Sequence, residues 1–312
     1  MIVRRFLVVG GLAAVFVVGT AGSAFADDLT DYLEDARDAI YSGQRLVGTS
    51  WDGIQSIGIF EIQHHGGMTN VASGSSSATI GAGRMHLGGI DEAAVSFVRQ
   101  TEPDLDGRYV VAHGEGTEHL GRSASIVEVV EAGFVRMRMV VDDSTAAPVQ
   151  TEVYDSNGDL FRYSSMTEFS VRVDRAMAEV DDREYRMMLP LGATDLPSDL
   201  AGYRLIDVYA APHEGRQSFY TDGLFSFSVF TTRGRADWAK TANNERSYTS
   251  GGYNYLRVVS PTSITVMWNA PTTAIALVGD LPPDHLDEVL DELPPPGIDN
   301  WMKRMWRKLF GY

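Results

Sequence analysis

The sequence predicts an α+β protein built mainly from antiparallel sheet and divided into two units of unequal size. Three observations carry this expectation. Residues 123–173 are a succession of β-rich runs separated by short turns, with Gly133 and the Asn157-Gly158 pair at hairpin tips. Helices are few: residues 28–40, where Leu29, Leu33, Ala36 and Ile40 recur at three- and four-residue steps, a short stretch at 91–99 before Pro103, and residues 284–293. Residues 187–200, punctuated by Pro190, Gly192, Pro197 and Asp199, read as a linker between the two units.

In chain order, Tyr41-Ser42-Gly43 is expected to end the first helix. β-like runs follow at 44–49, 57–63, 78–87 and 109–114, with the Gly/Ser-rich stretch 71–77 as a loop. Strands are then expected at 123–130, 134–141, 149–154 and 160–164, and 166–173 continues the meander. The second unit begins near Tyr203, with strands at 205–210, 224–231, 253–259, 263–269 and 273–278. Its closing helix follows Pro282, a residue suited to a helix start. Pro294-Pro295-Pro296-Gly297 stops that helix and sets off a tail. There is no internal repeat.

The N-terminus reads as an export signal. Arg4 and Arg5 precede an apolar run, and Ala24-Phe25-Ala26 is a small-x-small cleavage pattern before Asp27. The alternative is an uncleaved anchor, since residues 6–26 approach the length of a membrane span. With no cysteine, neither disulfides nor a lipidated cysteine can hold the exported chain. Loss of Arg4 and Arg5 moves the formal charge from −16 to −18, with 24 basic residues against 42 acidic ones. Such a surface opposes nucleic-acid binding, where phosphates must be neutralised, and suits a basic partner.

Residues 219–230 are the most distinctive stretch. Thr221-Asp222-Gly223 is a turn, because Asp can bond its own downstream backbone and Gly accepts positive φ. After it Phe225, Phe227 and Val229 alternate with Ser226 and Ser228, giving a strand with one dry face. This Tyr-Thr-Asp-Gly-Leu turn running into Ser-Phe-Ser-Val-Phe resembles the C-terminal domain of the RseB/MucB family. Leu196-Pro197 with Gly202-Tyr203, and Ala274 to Pro282, are similar to the opening and closing segments of that domain. In the N-terminal half Tyr41-Ser42-Gly43, Gly121-Arg122, Val141-Asp142 through Pro148-Val149, Glu152 to Asp155 and Asn157-Gly158 resemble it too. Gln150 and Thr151 depart from the arginines of actinobacterial-type relatives, the type this chain otherwise resembles.

The resemblance implies an N-terminal LolA-like curved antiparallel half-barrel with plugging helices. It also implies a smaller C-terminal α/β domain, an antiparallel sheet with a helix. The expected division is a signal peptide at 1–26, a lipid-sensing domain at 27–190 and a linker at 191–202. A partner-binding domain at 203–293 and a tail at 294–312 complete it. By resemblance, the partner is the extracytoplasmic part of an anti-sigma factor, whose proteolysis is controlled in envelope stress, with lipid or lipoprotein sensing. The other reading is an extracytoplasmic lipid or lipoprotein carrier on the same fold.

Several constellations carry residue types suited to chemistry. His113-Gly114-Glu115-Gly116-Thr117-Glu118-His119, with His64, His65 and His86, offers zinc-ligand types but not a ligand spacing, and its glycines suggest a flexible turn. Asp155 to Asp159 has its glycine too early for a calcium loop. No nucleophile elbow or dinucleotide loop occurs, so neither an enzyme nor a cofactor or metal is expected.

Val135, Met137, Met139 and Val141 share one strand face, opposite Arg136 and Arg138. They fill a core or line a lipid cavity, a task suited to pliable methionines. Tyr220, Asp222, Gly223 and Leu224 are the candidate partner-binding turn, unless the glycine serves only the backbone. In the tail, Trp301 and Trp306 face away from Lys303, Arg304, Arg307 and Lys308 on a helix. That arrangement fits a membrane surface or the protein's own acidic body.

Overall fold

The computed structural model describes residues 39–297, except 66–67, 74–75, 82–83, 89–107, 173–193, 212–213 and 239–245. The export segment, the stretch 91–99 and the tail, with Trp301, Lys303, Arg304, Trp306, Arg307 and Lys308, lie outside the described residues. So does the predicted first helix, apart from Ala39 and Ile40, which are not helical.

The N-terminal sheet has ten strands: β1 (Tyr41–Trp51), β2 (Ile54–His65), β3 (Met68–Ser73), β4 (Ser76–Gly81), β5 (Arg84–Gly88), β6 (Tyr109–His119), β7 (Arg122–Glu131), β8 (Phe134–Asp142), β9 (Pro148–Tyr154) and β10 (Leu160–Met166). Their order is β5-β4-β3-β2-β1-β10-β9-β8-β7-β6, antiparallel throughout. Two meanders therefore meet where β1 pairs with β10, and β5 and β6 are left as the two edges. The expected open antiparallel sheet is present.

One face of this sheet is dry. Val47, Thr49, Met137, Met139, Val141, Val153, Arg162 and Ser164 are all buried. They share that face because Met139 lies opposite Thr151, Thr151 opposite Ser164 and Ser164 opposite Val47.

The C-terminal sheet has eight strands: β11 (Asp199–Leu200), β12 (Tyr203–Ala211), β13 (Gly215–Thr221), β14 (Ser226–Arg233), β15 (Arg246–Ser250), β16 (Tyr253–Val259), β17 (Ile264–Asn269) and β18 (Thr273–Gly279). Their order is β11-β12-β13-β14-β18-β17-β16-β15. Helix α1 (Pro283–Glu292) opens on a proline at its first turn and buries His285, Leu286, Val289 and Leu290. Those residues join a core that runs without a break from Val127, Val129, Met137 and Met139 to Phe225, Phe227, Ile264 and Leu277. The two units thus share one hydrophobic core.

Several expectations need correction. Of the stretch read as a loop, residues 71–73 belong to β3 and 76–77 to β4, because backbone pairing organises polar residues that side chains alone do not. Residues 78–81 and 84–87 belong to two strands, not one. The segment His113–His119 is strand rather than flexible turn, and its glycines fall at a β-bulge between His113 and Gly116. Residues 166–172 leave the sheet after Met166 and fold back over the start of β1, meeting it through the Gln44 carbonyl and a Ser42–Ser170 bridge. Strands β13 and β15 were not foreseen, being too polar to show a dry face in sequence.

Ser226 and Ser228 do not face water. Both are buried, with the Ser226 amide donating to Asp280 Oδ1 (2.7 Å) and Gln217 Nε2 donating to Ser228 Oγ (2.9 Å). The Asn157-Gly158 tip is as expected, with Asp155 Oδ1 accepting from the amides of Asn157 and Asp159, both at 2.9 Å.

Tyr41-Ser42-Gly43 is the start of β1 and not a turn. Gly43 is required by a close approach: a Cβ there would lie 1.9 Å from the Glu168 carbonyl oxygen. The chain after β10 folds over this point, with the amides of Thr167 and Glu168 both donating to the Gln44 carbonyl. Gly43→Ala is expected to destabilise the protein by about 1–3 kcal/mol through overpacking, read as a lower urea midpoint with an unchanged m-value.

Candidate functional site

The most concentrated chemistry among the described residues lies in the seam where α1 and the β11–β12 turn meet the β6–β8 end of the N-terminal sheet. Glu131, the last residue of β7, is its hub. Its Oε1 accepts from Arg108 Nε (2.5 Å), and its Oε2 accepts from Arg136 Nε (2.6 Å). Glu131 Oε2 also lies 3.0 Å from His285 Nε2, while His285 Nδ1 lies 2.6 Å from the Tyr203 hydroxyl. The tautomer that satisfies both nitrogens has Nε2–H donating to Glu131 and Nδ1 accepting from Tyr203.

The network continues on both sides. Arg136 Nη2 pairs with Asp284 at 2.7 Å, in the first turn of α1. Arg108 Nη1 donates to the Ala201 carbonyl (3.1 Å) and lies 3.6 Å from Asp222 Oδ2. Its guanidinium also sits 5.4 Å from the Tyr203 ring centre. Tyr109 Oη donates to Asp222 Oδ2 (2.6 Å), and the Tyr109 and Phe225 rings meet edge to face. β7 and β8 are held against α1 by charge-assisted bonds and against β14 by packing.

The sequence motif at 221–224 belongs to this seam. Asp222 Oδ1 accepts from the amides of Leu224 (2.9 Å) and Phe225 (2.8 Å), and Gly223 has φ +94°, so the turn forms as its residues dictate. Tyr220 is fully buried, stacked on Phe227 at 5.1 Å, with its hydroxyl donating to the Pro197 carbonyl. Leu224 and Asp222 are buried too. The structure therefore buries these side chains, with Asp222 reaching across the seam to Tyr109 and Arg108, and none of them forms an outer surface.

Of Val135, Met137, Met139 and Val141 on β8, the last three are brought together, and Val135 is set apart from them by the β-bulge at Arg136. Those three are buried in the shared core, and Val135 is partly exposed. Arg136, expected on the outward face, is buried instead, because the β-bulge between Val129 and Val130 turns it toward Glu131 and Asp284. Of the histidines, His64 stacks on Tyr41 (4.9 Å between ring centres) and His119 Nε2 lies 3.0 Å from the Met166 carbonyl. Among the described residues no group of three or more ligand-type side chains could hold a metal ion.

Sequence reading missed Arg108, Glu131 and His285, and also Arg162, Arg257 and Asp280. One signal was available: a charged residue in phase with buried apolar ones. Arg257 is in step with Tyr255 on β16, and His285 with Val289 on α1.

Burial alone would push the Glu131 carboxyl up, but the bonds from His285 and Arg108 outweigh it and bring it down to about 2. A carboxylate lowered from its ordinary 4.5 stabilises the fold fully above that value and loses the contribution as pH falls toward 2. The groups facing it are the Arg108 and Arg136 guanidiniums and the His285 imidazole. Glu131→Gln is expected to cost about 2–4 kcal/mol at pH 7. Urea unfolding of both proteins across pH should show the difference shrinking as pH drops from 5 to 2.

No family model matches the sequence, and no curated protein matches it. Solved structures do match its fold. The crystal structure of MucB superposes with a TM-score of 0.54 at 17% identity, covering 88% of this chain and 99% of MucB. The Pseudomonas aeruginosa MucA/MucB complex gives 0.53 at 17% identity, covering 84% of this chain and 96% of that one. MucB in complex with MucA(peri) gives 0.52 at 15% identity, with 88% and 99% covered. The chain has the fold of MucB, along essentially the whole length of that protein.

Proposed function

We propose that this chain is an exported negative regulator that binds the extracytoplasmic part of an anti-sigma factor and thereby controls that factor's proteolysis in envelope stress. The carrying observation is the fold shared with MucB from end to end, because MucB has been solved bound to MucA. The RseB/MucB-like motifs at 196–203, 219–230 and 274–282 support it independently. A core shared between the sheets favours a regulator over a simple carrier, since the C-terminal sheet is built into the body of the molecule.

Lipid sensing is the second half of this reading. Met137, Met139 and Val141 supply a pliable apolar surface on the dry face of the N-terminal sheet, next to the seam. A ligand that rearranged this face would move the seam with it, and through the seam the turn at Tyr220, Asp222, Gly223 and Leu224. In this reading the turn governs partner binding by fixing the position of the C-terminal sheet.

Pull-down from envelope extract with the mature protein, followed by mass spectrometry of proteins and lipids, tests the reading. The expected catch is a membrane protein carrying a sigma-factor-binding domain on its cytoplasmic side. Recovery of lipids or lipoproteins alone would mean a carrier instead.

The tail is proposed as a membrane-surface element that brings the regulator to its membrane-embedded partner. Lys303, Arg304, Arg307 and Lys308 would each contribute about 1 kcal/mol near an anionic surface. Full-length protein is expected to sediment with anionic vesicles in low salt, and a chain ending at Leu293 to stay in the supernatant. Equal sedimentation of the two would remove the tail from this role.

A further inference from the structure

A second polar group lies in the seam, away from Glu131, and its chemistry is left incomplete by the protein. Arg162 on β10 is buried. Its Nε donates to Thr49 Oγ1 (3.2 Å) and its Nη1 to the Asp280 carbonyl oxygen (3.4 Å), but its Nη2 has no hydrogen-bond partner. Arg257 on β16 is 2% exposed and lies over the Trp51 ring at 4.0 Å. Only its Nη2 has a partner, Asp52 Oδ2 at 3.2 Å, while Nε and Nη1 have none. Ser164 Oγ, two residues along β10 from Arg162, is also buried without a partner.

The two arginines reach neighbouring positions at the end of β1, and Ser164 lies one step further in, opposite Val47. Arg162 bonds Thr49, Arg257 stacks on Trp51, and those two residues share a strand face roughly 7 Å apart. Thr49 Oγ1 in turn donates to the Pro261 carbonyl (2.9 Å), tying the β16–β17 turn to the same spot. One guanidinium therefore comes from each sheet.

Buried guanidinium N–H groups without acceptors are costly, and native proteins leave few of them. The local carboxylates do not serve. Asp280 directs Oδ1 to the Ser226 amide, and burial pushes its carboxyl up to about 7. Asp52 is 75% exposed and reaches Arg257 through one nitrogen only. The chain's overall charge of −16 repels anions, so affinity for one here would come from local donors and not from the general field.

We propose that this part of the seam is an oxyanion site, in which Arg162 and Arg257, with Ser164, bind a phosphate or carboxylate group that bridges the two sheets. Guanidinium forks match the paired oxygens of such groups. The exposed Asp52 marks its rim at the β1–β2 turn. Inward, Ser164 lies opposite Thr151 and Thr151 opposite Met139, so the face that carries the site continues to the methionines. The shared chemistry is the oxyanion, whether free or as the headgroup of an amphiphile. The proposal stands apart from anti-sigma-factor binding and survives its failure.

The test uses the full mature protein with inorganic phosphate, dodecyl phosphate below its micelle concentration and dodecyl maltoside, at ionic strength matched with chloride. A saturating ligand should raise Tm by about 2 °C or more, and calorimetric titration of the wild type should show one site. Arg162→Gln and Arg257→Gln should each weaken binding about tenfold or abolish it, with Ser164→Ala as a milder variant if either fails to fold. A response to both phosphates marks a free-ion site, and a response to dodecyl phosphate alone marks a headgroup site. No binding of either phosphate overturns the proposal, as does an equal response to dodecyl maltoside. Undiminished binding in the arginine variants, or in Ser164→Ala if neither of them folds, overturns it as well.

Discussion

The Glu131 carboxylate is where the architecture is held together. It sits at the end of a hairpin in one sheet and accepts from Arg108 and Arg136 of that sheet and from His285 of the other unit's helix. Each arginine then reaches across the seam, Arg136 to Asp284 and Arg108 to the Ala201 carbonyl. The carboxylate fixes the arginines, and the arginines fix the helix. Remove the negative charge and two cations and an imidazole are left facing each other in a half-dry space, which is why this one group matters more than its share of buried area.

The seam is also where packing and polarity divide the work. The shared core supplies most of the adhesion, without direction, since Phe225, Phe227 and Leu286 would accept many relative placements of the methionine face. Direction comes from the polar groups around it: Tyr109 to Asp222, Thr49 to Pro261, Arg257 to Asp52. A binding protein that must present two units in one relation to a partner gains from this division. The apolar part tolerates adjustment while the polar part sets the preferred state.

Much of this was legible in the sequence. The meander from Arg122 to Met166, the Asn157-Gly158 tip, the Thr221-Asp222-Gly223 turn and the proline-started helix follow from local rules that the structure obeys. The errors have one cause. Residues 71–73 and 76–77, Gly114 and Gly116, and Tyr41-Ser42-Gly43 follow sheet register and a crossing chain and not what their side chains prefer. Site residues were harder. The face carrying Met137 and Met139 was visible because period two shows it, but nothing local announces that Glu131 will meet His285, 154 residues away. Such pairs are products of tertiary placement, and a buried charge in phase with apolar neighbours is the only trace they leave in sequence.

The joining of two meanders at β1 and β10 imposes an order of assembly. Hairpins such as β1–β2 and β7–β8 close over a few residues and can form as soon as their strands exist. The bond from Arg162 to Thr49 spans 113 residues, and that from His285 to Glu131 spans 154. Loop-closure entropy places such contacts after the local ones, so the nascent sheet waits as two separate ribbons with the inner edges of β1 and β10 unpaired. During that interval the chain carries two open strand edges and an uncovered methionine face, the features by which folding chains find one another. The interval before closure is therefore the one in which dilution, or a holding partner, would protect the chain.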